Sequence, residues 1–192
     1  MRNFFSNIHM PSKRLPIVRQ LANDTCGLSA VEFALILPVM ITMYLGAVEF
    51  SHALTVDRRV TSVASSAADL AAQSKTVTSD SILDIFTAAN TIMQPYSATP
   101  ISIVLTSVIA DEDNQTNVSW SCAHNGSARA DGAAFSVPAG LTQPYSSVIV
   151  AEVTYTYTPP VGEFISGNIL MNETFYLRPR RSLTVEWEGA PC

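Results

Sequence analysis

The chain has 192 residues and a mass of 20.7 kDa, room for one compact domain, or one domain with an anchor. Hydrophobic residues make up 47% and charged residues only 14%, against roughly 25% charge in average soluble domains, which argues against an ordinary cytosolic globule and equally against disorder. The net charge of −5, with no basic aromatic-rich stretch, leaves no footprint for nucleic acid.

The shortage of charge is local. Residues 28–50 carry only Glu32 and Glu49, and residues 33–48 carry none. Residues 1–27 hold Arg2, Lys13, Arg14 and Arg19 against Asp24, whereas residues 51–192 hold seven basic and thirteen acidic residues. A basic head, an apolar block and an acidic body predict a single-pass membrane protein, with the head in the cytoplasm and the body exported.

In chain order, residues 1–27 are polar and interrupted by Pro11 and Pro16, so no stable fold is expected in this leader. Residues 28–50 span about 34 Å as a helix, enough to cross a bilayer, with Glu49 marking the far boundary. Pro38 removes one backbone hydrogen bond and predicts a kink over residues 34–38. Helical periodicity then continues through Val56, Val60, Val63, Ala67 and Leu70, with Ala64 and Ala71 widening the stripe. One helix over residues 28–73 follows, apolar first and amphipathic second. Its alanine-rich stripe is expected to pack on its own domain, or on neighbouring subunits as well.

A second helix is predicted over residues 81–93, capped by Ser79 or Asp80 and closed by Pro95. Beyond Pro100 the period becomes two. Ile101, Ile103, Leu105 and Ile109 form one strand, residues 111–115 a polar turn, and Thr116, Val118, Trp120 and Cys122 one face of a second strand. Residues 123–144 read as loop, and residues 147–157 as the clearest strand. A short helix or turn is expected over 164–171, with closing strands over 174–178 and 182–187, the latter placing Leu183, Val185 and Trp187 inward. The fold class is α+β: a long N-terminal transmembrane helix, continuing as an amphipathic helix, packed on an antiparallel sheet of four to five strands.

Cys26 lies on the cytoplasmic side of the apolar block, and Cys122 and Cys192 in the exported body, where disulfides persist. Pairing these two would close a loop of about 70 residues, worth about 4 kcal/mol in the chain-entropy model; the alternative is two free thiols.

Residues 27–33, Gly-Leu-Ser-Ala-Val-Glu-Phe, are the most informative stretch. A carboxylate within an apolar block costs a few kcal/mol on insertion scales and needs a partner. A cut after Gly27 would create an amino terminus at Leu28, one helical turn from Glu32, whose carboxylate could take that ammonium or a neighbour's. Glycine suits the cut because it lets an extended backbone enter a protease cleft.

Gly27, Glu32 and Phe33 ahead of an apolar helix resemble the class III signal of type IV pilin-like proteins. Followed by Ala34-Leu35-Ile36-Leu37-Pro38, they resemble the TadE-like pilus assembly family of the Tad (Flp) system. Residues 58–72 are similar to the alanine-rich helix after the anchor in that family, and residues 148–160 with Arg178, Arg180 and Arg181 to its closing region. The resemblance implies a minor pilin or pseudopilin, cut between Gly27 and Leu28 by an inner-membrane prepilin peptidase. It implies Glu32 as the charge that aligns subunits and Phe33 as its aromatic companion. Expected partners are the peptidase, other pilin-like subunits, the inner-membrane assembly platform and the membrane itself. Three regions follow: a removable leader over 1–27, a transmembrane helix over 28–50 and a periplasmic domain over 51–192.

Enzyme activity has little support and no cofactor is expected. His9, His52 and His124 are scattered outside any zinc pattern, and no nucleophile elbow or phosphate-binding glycine loop is present. Residues 111–113 read as a solvated turn, and Arg178, Arg180 and Arg181 as solubilising charges at a strand edge. Ser51-His52-Ala53 resembles a signal-peptidase site, but the apolar block before it exceeds the usual h-region and contains Glu32 and Pro38. The main alternative is an uncut single-pass anchor presenting a periplasmic binding module.

Overall fold

In the computed structural model, residues 26–160, 162, 164, 166–189 and 192 are described. The leader expectation for residues 1–25 lies outside them. The chain divides into two compact units, Met1–Ala47 and Val48–Cys192.

Helix α1 spans Cys26–Ala72 and passes through Pro38 without a break in its helical assignment. Its first part is long and apolar enough to cross a membrane, and none of that apolar stretch is buried within the molecule. In the second unit, Ala53, Val56, Val60, Val63, Ala64, Ala67, Ala68, Ala71 and Ala72 are buried. Leu70, expected in this stripe, is 40% exposed. At about 100° per residue the buried positions centre on the alanines, which admit the closest approach, and Leu70 falls at the rim.

Strand β1 (Thr76–Val77) and helix α2 (Ser79–Met93) follow. The cap of α2 is Thr78, in place of the expected Ser79 or Asp80. Thr78 Oγ1 accepts from the Ser81 amide at 3.3 Å, and Ser81 Oγ accepts from the Thr78 amide at 2.7 Å. Ser79 and Asp80 thereby become the first turn.

Strands β2 (Ile101–Ala110), β3 (Thr116–His124), β4 (Ser147–Tyr157) and β5 (Ile169–Leu177) form an antiparallel sheet in the order β3-β2-β4-β5. Alternation on β2 and β4 turns Ile101, Ile103, Leu105, Ile149, Ala151, Val153, Tyr155 and Tyr157 toward one core, shared with α1 and α2. Even positions on the two strands face the opposite side of the sheet, and the register shift between Ser107 and Val108 falls in the pairing with β3 while the β2–β4 pairing runs on unbroken. Val108, with Val148 and Val150, lies in a second cluster under Phe135, Val137, Leu141 and Tyr176. The turn after β2 is held by Asp111 Oδ1, which accepts from the amides of Asp113 at 3.0 Å and Gln115 at 2.7 Å.

Two expectations for the C-terminal part are corrected. β5 begins at Ile169, within the stretch read as a helix or turn, because Ile169, Met171 and Leu177 have apolar contacts to make across β4. The last strand shrinks to β6 (Glu186–Trp187), parallel to β1, and Leu183 is 73% exposed. There the backbone departs from strand geometry to clasp other elements. The Leu183 carbonyl accepts from Ser147 N at 2.8 Å, and the Val185 amide donates to Ser147 Oγ at 3.3 Å. Cys122 and Cys192 are joined in a disulfide, with Cα atoms 5.0 Å apart.

Candidate functional site

The motif residues sit on the first turns of α1. Gly27 is the helix's second residue, Leu28 is 62% exposed, Glu32 is exposed, and Phe33 is 59% exposed. Leu28 and Glu32 are four residues apart and therefore share a face, about 6 Å apart at Cβ. Phe33 lies a further 100° round. The first turn of α1 holds no acidic residue, so Glu32 is the first carboxylate below its positive end.

Gly27 is unexplained by the fold. A Cβ added there would meet nothing within 4 Å, and its φ is not in the left-handed region. In a helix glycine is less favourable than alanine by about 1 kcal/mol. A residue that the fold would rather replace, with room to replace it, has its reason outside the fold.

Pro38 leaves the Ala34 carbonyl without its amide partner. One turn on, Thr42 Oγ1 donates to the Pro38 carbonyl at 2.7 Å, a local bond that keeps the hydroxyl satisfied in an apolar setting.

In the second unit, a polar cluster gathers around Glu49 and Tyr157, and the sequence pattern did not reveal it. Glu49 continues the buried stripe of Ala53, Val56 and Val60 and is 1% exposed. One of its oxygens accepts from the Phe164 amide at 3.2 Å. Its carboxylate is thus buried and bonded inside the second unit, a role that the reading of Glu49 as the far boundary of the apolar block did not include. Tyr157 is 4% exposed, and its hydroxyl has no hydrogen-bond partner among the described residues. Burial raises the Tyr157 pKa above the usual phenol value, and the charges of Tyr96 and Glu49 push the same way. Tyr155 is raised as well, chiefly by burial, and its hydroxyl donates to the Ser97 carbonyl at 3.1 Å. Arg59 lies over the Tyr96 ring at 5.7 Å and donates through Nη1 to the Ile92 carbonyl at 2.7 Å.

Of the C-terminal arginines, Arg178 and Arg180 tie other elements together, and Arg181 is exposed. Arg178 donates to the carbonyls of Leu141 at 2.8 Å and Gly140 at 2.7 Å. Arg180 pairs with Asp69 of α1, and its amide caps the Ala72 carbonyl at 3.0 Å. Among the described residues no group of three His, Cys, Asp or Glu side chains is placed to hold a metal ion.

A family model described as TadE-like protein matches residues 27–69. That range runs from Gly27 through the exposed apolar turns and the buried alanine stripe. No curated protein and no solved structure matches the chain.

Proposed function

With residues 27–69 matching the TadE-like family, which suggests involvement in Tad pilus assembly, we propose that the chain is a minor pilin or pseudopilin of that system. It enters the inner membrane through α1 with its amino terminus in the cytoplasm and its second unit in the periplasm. Prepilin peptidase cuts between Gly27 and Leu28, so that Leu28 becomes the amino terminus. The Gly27 position, spacious yet glycine, supports a local demand for an extended backbone in a protease cleft. Fraying of the first helical turn would supply that extension at low cost.

The observation that carries the reading is Glu32, exposed on an apolar stretch of helix that none of the described residues buries. An uncompensated carboxylate there is costly in a bilayer, and a helix bundle of subunits removes the cost by bringing an ammonium to it. The new Leu28 amine, itself unfavourable at the positive end of a helix, gains from the same pairing. Phe33 packs beside that pair, and the freed carbonyl above Pro38 lets the helix bend where subunits meet. The protein acts by being cut and then by packing, not by catalysis. Cys122 and Cys192 hold the second unit closed in the oxidising periplasm.

The test is complementation of a strain lacking this chain. Wild-type protein is expected to restore piliation. Glu32→Ala is expected to reach the membrane fraction at wild-type level and fail to restore it. Normal piliation by Glu32→Ala would remove the role assigned to that carboxylate.

A further inference from the structure

Glu49 is a carboxylate in a core position, and its recorded partner is the amide of Phe164, 115 residues away in the connection between β4 and β5. This bond brings the backbone at Phe164 to within a side chain's length of α1. Thr158 Oγ1 donates to Asn168 Oδ1 at 3.1 Å, closing the neck of the same connection. Gly162, with φ of 71°, takes a left-handed turn there that other residues rarely adopt.

What the bond displays is apolar. Phe164 is 43% exposed, Phe50 is 60% exposed and Leu54 is 42% exposed. Phe50 and Leu54 are four residues apart and share a face of α1, and Phe50 is the next residue after Glu49. Three large apolar side chains are thus exposed on the two segments that the Glu49–Phe164 bond joins. About 20 helical residues cross the hydrocarbon core, so a span entered at Leu28 is left near Val48 by chain connectivity alone. Phe50 and Leu54 emerge in the next two turns, and Phe164 is pinned alongside. That depth is the headgroup layer, where aromatic rings gain most from an interface.

We propose that Phe164, in the connection between β4 and β5, is a second membrane-contacting point of the chain. In this arrangement Phe164, held by the Glu49 carboxylate, rests in the outer headgroup layer of the bilayer that α1 crosses, beside Phe50 and Leu54. The inference rests on the reading of α1 as a membrane span and adds to it a contact far away in sequence. The partner is the phospholipid interface, selected by continuity with the span. Glu49, the carboxylate that holds Phe164, is itself buried.

The experiment uses the full chain with Cys26→Ser, reconstituted in phosphatidylcholine vesicles containing a minority of phosphatidylglycerol. Nitroxide labels are placed singly at Phe164→Cys, Val39→Cys and Asp113→Cys, and accessibility to oxygen and to a water-soluble nickel chelate is compared. Val39 reports the span, and Asp113 the exposed turn between β2 and β3. The Phe164 label is expected to lie between the two references, with oxygen favoured over nickel. Adding Glu49→Ala is expected to shift it toward the Asp113 value and sharpen its line shape. A Phe164 label indistinguishable from Asp113, with Val39 in lipid, overturns the proposal and leaves the span reading standing. A Val39 label in water defeats the span reading first and this proposal with it. An unchanged depth in Glu49→Ala removes the clip as the cause.

Discussion

The indole N–H of Trp120, on β3, donates to the carbonyl of Val185 at 2.9 Å, a bond buried in the core and spanning 65 residues of chain. The Trp120 ring lies 5.6 Å from that of Trp187, and Cys122, two residues on, is joined to Cys192. The C-terminal residues therefore close the second unit by three different kinds of contact at one place. A small core gains much from such closure, because its buried area alone leaves little margin over chain entropy.

Trp120→Phe should lower the unfolding free energy of the second unit by about 2–3 kcal/mol, since the Val185 carbonyl stays buried without a donor and the ring leaves a void. Reducing the disulfide should cost about 4 kcal/mol, given its sequence separation of 70. Denaturant titrations followed by tryptophan fluorescence read both effects. Loss of less than 1 kcal/mol in each would show that the clasp adds little.

The alanine stripe of α1 makes a different demand. Ala67 is 1% exposed in the core under the sheet. Ala67→Leu should destabilise by about 1–3 kcal/mol despite a better hydrophobic surface, because the helix would have to lift from its neighbours. The exposed rim position Leu70 should accept alanine for less than about 1 kcal/mol by the same titration.

Tyr157 yields a pH dependence whose sign is fixed. Its folded pKa is raised above the usual phenol value of about 10, chiefly by burial, so the folded state holds its proton longer than the unfolded chain does. The unfolded chain binds fewer protons above pH 10, and stability falls there as pH rises while staying level below it. Tyr157→Phe should be neutral or slightly stabilising at pH 7, because the hydroxyl it removes has no partner among the described residues. It should also flatten the alkaline decline measured by thermal unfolding. An equally steep decline would place the titration elsewhere, with Tyr155 next in line.

Periodicity made most of this architecture readable before the structure. Alternation on residues 101–105 and 149–157 marked the faces of β2 and β4, and the valine–alanine spacing marked the buried side of α1. What escaped the pattern depends on partners remote in sequence. Leu183 alternates as a strand residue should, yet the backbone around it is drawn toward Ser147 and turns its side chain outward. Thr78 beat two equally good caps because its extended backbone faces the Ser81 amide. Leu70 obeyed a heptad spacing that a straight helix does not keep over several turns. Glu49 looked like a boundary residue because nothing local announces that the Phe164 amide will reach it. For the motif residues the position is reversed: Gly27 and Glu32 stand out in the sequence, and among the described residues nothing packs against a Cβ at the one or buries the other.

That last contrast makes the identity of the amino terminus the most direct measurement. Protein extracted from membranes of cells with active prepilin peptidase should begin at Leu28, and Gly27→Ala should remain at full length. Recovery of wild-type chain still carrying residues upstream of Leu28 from those cells would contradict the account.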